Sequence, residues 1–201
     1  SWNGPEYGFG HVVGNALEQD VLIIKVATGG TSLQVAWRSP TAVAKRGGEV
    51  GYMWTHMLRT VKHVLDNLGA EFPEYTGRGY EIAGFGWHQG WNDGCDKNMI
   101  PEYEKNMANF IRDVRKDLAA PKMPFVIGVL GVGGPIGEDY SPRYKVTHQN
   151  FRDAMAAPAK LAEFQGNVAA VRTELYWDQP LAAIEAKFGQ VKNMTRRLQS
   201  K

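Results

Sequence analysis

Cysteine is almost absent. Cys95 is the only one among 201 residues, so no disulfide within the chain is possible. No apolar run is long enough to span a bilayer, and no segment reads as a signal peptide. The chain opens on Ser1 in place of methionine, as expected of a processed or excised piece. An excess of charge of one sign is missing as well. Lys and Arg number 23 against 21 Asp and Glu, and the net charge of +2 gives no ground for a nucleic-acid or anionic-membrane partner. No Gly-x-Gly-x-x-Gly leads into a helix and no Gly-Lys-Ser/Thr occurs, which argues against dinucleotide and P-loop sites. Ser32, Ser39 and Ser141 all lie outside any Gly-x-Ser-x-Gly elbow. His88, Asp93, Cys95 and Asp96 match no zinc or EF-hand spacing, so no metal and no cofactor is expected.

What is present is globular. Hydrophobic residues make up 43% and charged residues 22%. The length fits a single α/β domain over 1–201, able to bury roughly 70% of its unfolded surface without a staple. Six Trp and eight Tyr suit either a packed core or the flat walls of a sugar site.

Periodicity alternates between helix and strand. Glu6 to Glu18 reads as a helix behind Pro5. Val21 to Ala27 is a β-branched apolar run, the pattern of a strand buried on both faces, followed by a polar loop to about Gly48. Val50, Met53, Trp54, Met57, Leu58, Val61, Val64, Leu65 and Leu68 recur at helical spacing, closed by Gly69. A strand over 80–87 follows, then a helix after Pro101 with Tyr103, Met107, Phe110, Ile111, Val114 and Leu118 on one face. Pro124–Leu130 and Val168–Thr173 are two further strands, with a helix from Tyr144 to Leu161 between them and a basic helix from Pro180 onward. The order predicts a three-layer α/β/α sandwich around a mainly parallel sheet.

In such sheets ligands bind beyond the carboxyl ends of the strands. Two turns fall there. Gly29-Gly30-Thr31-Ser32-Leu33 follows the first predicted strand, and its glycines let backbone N–H groups approach a ligand. His88-Gln89-Gly90-Trp91-Asn92-Asp93 follows the next, with amides suited to hold an oxyanion. Both stretches are equally well composed as turns. Ser32 and His88 form a candidate nucleophile–base dyad if they lie within hydrogen-bond reach.

These blocks, together with Gly4-Pro5-Glu6 and Phe9-Gly10, resemble the SGNH-type carbohydrate esterases, specifically the sialate O-acetylesterase-like group. Order and spacing agree through most of the chain. The resemblance implies an α/β/α fold, hydrolysis of acetyl esters on a carbohydrate substrate by a serine nucleophile, no metal, and a secreted or periplasmic setting. It implies oxyanion donors at Gly29 or Gly30 and at Gln89, with Asn92 a second candidate; Trp87, Trp91 and Asp93, in the same turn, are expected against the substrate. The chain departs from the family in three places. It has no Gly-Gln-Ser-Asn nucleophile motif and no Asp-x-x-His segment, and Trp91 stands where the family has Glu. It therefore reads as the middle portion of such an enzyme. The rival expectation is a catalytically inactive carbohydrate-binding or scaffold protein of the same fold.

Overall fold

The computed structural model describes residues 4–138 and 140–199. Three strands, β1 (Phe85–Trp87), β2 (Phe125–Val129) and β3 (Val168–Arg172), form one parallel sheet in the order β1-β2-β3. The register sets Phe85 beside Phe125 and Phe125 beside Val168. Among the described residues, eight α-helices accompany the strands, besides three short 3-10 turns: α1 (Pro5–Leu17), α2 (Pro40–Arg46), α3 (Tyr52–Asp66), α4 (Leu68–Glu71), α5 (Trp91–Gly94), α6 (Ile100–Asp117), α7 (Pro142–Ala156) and α8 (Gln179–Gln199). This is the α/β class with the parallel sheet that alternating elements predict, and the sheet is smaller than predicted.

The core lies on one face of the sheet. Along β2, Phe125, Ile127 and Val129 are buried while Val126 and Gly128 are half-buried on the other side, the alternation that the pleat imposes. α6 covers the buried face. Its Tyr103, Met107, Phe110, Ile111 and Val114 are all fully buried, and Phe110 meets Phe85, Trp87 and Phe125 through ring contacts of 4.6–6.3 Å. Pro101 starts this helix, and Arg115 and Lys116 sit in its last turn, where cations favour the helix dipole. α7 packs beside it, with the Phe151 ring 4.9 Å from Tyr103.

Three expectations need correction. Residues 21–27 form no strand among the described residues. A strand exists only through hydrogen bonds to a neighbour, and this run has none; Val21, Leu22 and Ile23 stay partly exposed, and Val26 alone packs on the core. The strand predicted over 80–87 is reduced to Phe85–Trp87, because β2 begins at Phe125 behind Pro124, which has no N–H to extend the ladder. The loop predicted from Thr28 to Gly48 contains α2. Its signal was Ser39-Pro40, a capping residue followed by proline at the first helical position. α2 is fastened to α6 where Thr41 N and Oγ1 both donate to Asp113, at 2.8 and 2.6 Å.

No described helix is long and apolar enough to cross a membrane. Among the described residues, no group of three or more His, Cys, Asp and Glu is placed to hold a metal ion.

Candidate functional site

The two turns singled out in the sequence meet. The Gln89 side-chain amide donates to the carbonyl of Thr31 at 2.9 Å and to Asp93 Oδ2 at 2.7 Å. Asp93 is buried, and its carboxylate also receives the backbone N–H of Leu33 (2.8 Å) and Gln34 (3.2 Å). Thr31 Oγ1 donates to Thr28 O and accepts from Trp37 Nε1, which closes the turn around Gly29 and Gly30. Gly30 has φ +75°, a conformation that glycine adopts without strain.

Beneath this lies a second tier. The Tyr103 hydroxyl accepts from Trp87 Nε1 (3.0 Å) and shares its proton between Gln89 O and Oε1, at 3.1 and 3.2 Å. Full burial pushes the Tyr103 phenol well above its ordinary range, so it stays a donor. Burial also pushes the Asp93 carboxyl up, opposed by the N–H groups of Gln89, Leu33 and Gln34.

The geometry separates the predicted site residues into two sets. Gln89 has two amide hydrogens, and both are engaged inside the protein. Asp93 is buried beneath the loop, and Trp87 is a core residue whose ring meets Trp37 edge-on at 5.3 Å. The other set faces outward. Gly29, Gly30 and His88 are exposed, Trp91 is 53% exposed, and Asn92 is half-buried. The side chains of His88 and Asn92 have no hydrogen-bond partner among the described residues, nor do the backbone N–H groups of Gly29 and Gly30. No hydrogen bond joins Ser32 to His88; Ser32 Oγ instead accepts from the N–H of Val35 at 3.2 Å and is buried.

His88 rests on the sheet. A Cβ built on Gly128 would come within 3.2 Å of its imidazole, so the ring occupies the space that glycine leaves. The same end of the sheet carries the turn after β2. There the buried guanidinium of Arg152 donates from Nε to Leu130 O and from Nη2 to Val132 O, both at 2.9 Å. Beside Gly29, a shallow depression is lined by Thr28, Tyr52, His56 and Arg59. Sequence reasoning quoted Thr31 and Tyr103 without giving them a place in the site. Nothing local marks Tyr103, since it reads as one more apolar position on α6.

A parallel sheet with helices packed on it, and an amide turn after β1 tied to the Gly29–Gly30 turn, define an α/β protein. A sequence model of the carbohydrate esterases described as sialic acid-specific acetylesterases matches residues 3–179, and the chain belongs to that family. It is similar to a probable carbohydrate esterase of Arabidopsis thaliana, 28% identical over 134 residues, which are 65% of this chain and 43% of that protein. The crystal structure of an Arabidopsis thaliana protein has the same fold, with a TM-score of 0.57 and 23% identity over 84% of this chain and 55% of that one. The chain spans about half the length of these relatives.

Proposed function

We propose that this chain is the oxyanion-bearing portion of a carbohydrate O-acetylesterase of the SGNH type, a serine hydrolase that removes acetyl groups from sugars, and that residues 1–201 act as one α/β unit. The observation that carries the reading is the bond from the Gln89 amide to Thr31 O, which holds the Gly29–Gly30 turn beside His88 and Asn92. In this proposal the oxyanion donors are the free backbone N–H groups of Gly29 and Gly30 and the amide of Asn92. Gln89 keeps them in place through Thr31 and Asp93. Trp91 offers an open aromatic face to the sugar. Ser32 is given no nucleophilic role, because it is buried and makes no hydrogen bond to His88.

The test is Gln89→Ala in a form of the protein that turns over an acetylated sugar. Turnover falls by about 10²-fold, the scale of misplacing the reacting groups by roughly 1 Å, while the Michaelis constant changes little. Equal, small changes in both would remove Gln89 from the site.

The absence of a serine–histidine hydrogen bond among the described residues favours a second reading, a catalytically inactive carbohydrate-binding or scaffold protein. p-Nitrophenyl acetate separates the two. Hydrolysis by the full-length form above the buffer rate, lowered by Asn92→Ala, supports the esterase; no hydrolysis by that form alongside measurable sugar binding supports the inactive form.

A further inference from the structure

α8 buries little of itself. From Gln179 to Met194 every residue is exposed except Ala182, which is half-buried. Its foot is fixed by Asp178, whose carboxylate takes the N–H of Leu181 at 2.9 Å and whose carbonyl takes that of Ala182 at 2.9 Å. Leu181, Ile184, Phe188 and Val191 then recur at alternating steps of three and four, the a and d positions of a heptad repeat, and Met194 flanks them. Each of the five is between 51% and 72% exposed. Ala186, Gln190 and Asn193 occupy the opposite face. An exposed apolar stripe bordered by polar residues marks a surface that meets another, and the heptad spacing fits this one to a second helix.

The charges choose that helix and its direction. With Leu181 at a, Glu185 and Lys192 fall at e, and Lys187 and Met194 at g. In a parallel pair g faces e of the partner's next heptad, which would set Lys187 against a second Lys192. In an antiparallel pair e faces e and g faces g. With Phe188 packed on the partner's Val191, Glu185 then falls beside the partner's Lys192, and twofold symmetry repeats the contact. Lys187 falls beside the partner's Met194, where its methylenes can cover the thioether while its ammonium stays in water.

We propose that α8 is a self-association surface, which pairs antiparallel with α8 of a second copy of this chain. Phe188 and Val191 form the centre of the contact, and Glu185–Lys192 ion pairs flank it on both sides of the twofold axis. A two-helix contact about 30 Å long lies at the small end of specific interfaces. The dimer is therefore weak and exchanges with the monomer as concentration changes.

The experiment is sedimentation velocity of the 201-residue protein from micromolar to near-millimolar concentration, beside its Phe188→Glu, Lys192→Glu and Glu185→Lys/Lys192→Glu variants. All three side chains are exposed, so each variant should keep the wild-type circular-dichroism spectrum. The wild type should pass from monomer to dimer as concentration rises, and Phe188→Glu should stay monomeric. Lys192→Glu sets two carboxylates against each other at both flanks and should weaken the dimer by about tenfold or more; the double exchange should restore it. A wild type that stays monomeric throughout overturns the proposal, as does a dimer indifferent to Phe188→Glu. Tighter association of Lys192→Glu, which parallel pairing would give, overturns the antiparallel arrangement. A monomer that instead binds phosphatidylserine vesicles, and loses them on Phe188→Glu, overturns the proposal in favour of a lipid surface. Association is read without turnover, so the result stands apart from the esterase reading.

Discussion

Asp93 accepts the backbone N–H of Leu33 at 2.8 Å, across sixty residues of sequence. That bond and its neighbours to Gln34 and Gln89 are what fix the glycine turn to the end of β1.

Asp93→Asn tests the clamp locally. An asparagine has one oxygen and one NH₂, so a single oxygen must serve Leu33 and Gln89 while the NH₂ confronts the Gln34 N–H. A buried donor left unmatched costs about 1–3 kcal/mol. Amide hydrogen exchange at Gln34 should accelerate by roughly tenfold or more. Unchanged protection at Gln34 would show that the carboxylate does not hold the loop.

The pH dependence of stability follows from the same group. Burial raises the Asp93 carboxyl above its ordinary value of 3.8 in the folded protein. In the window between 3.8 and the raised value, the native state therefore holds a proton that the unfolded chain has released. Stability falls as pH rises through that window, and the penalty is complete above it. Urea titrations at a series of pH values from 3.8 upward should show this decline in the wild type and a flatter profile in Asp93→Asn. A parallel pair of profiles would contradict the assignment.

Tyr103→Phe removes the hydroxyl that accepts from Trp87 and donates to Gln89. The indole N–H is then buried without a partner. Stability should drop by about 1–3 kcal/mol, read as a lower urea midpoint at unchanged slope. A loss below about 0.5 kcal/mol would mean that water replaces the hydroxyl at no cost.

Gly51→Ala addresses packing. A Cβ there would lie 2.2 Å from Ala36 O and 2.5 Å from Arg38 N, both backbone atoms that cannot rotate aside. Gly51 is where α3 latches onto the loop, through Gly51 N to Arg38 O and Met53 N to Ala36 O, each 2.9 Å. Overpacking of this kind costs about 1–3 kcal/mol, and the melting temperature should fall by several degrees. A wild-type melting curve would show that the latch can open freely.

The sequence made α6 legible because its apolar residues recur at helical spacing behind a proline, and β2 and β3 legible because both have neighbours to pair with. It misled at Val21–Ala27, since β-branched composition describes a residue's preference and not the presence of a partner. The rim was legible as a meeting of two polar turns. The direction of the Gln89 amide was not, because its two hydrogens could face a ligand or the protein equally well on chemistry alone. Tyr103 was hidden for the reverse reason: a tyrosine within an apolar stripe looks like packing until its hydroxyl is located.

Gly128 carries a wider implication. The floor under the His88 imidazole is a single hydrogen atom on the middle strand. Enlarging that position by one methyl group would push the ring outward by a few tenths of an ångström without touching either loop, so the seat of His88 is written into the backbone of β2 as well as into the turn that bears it.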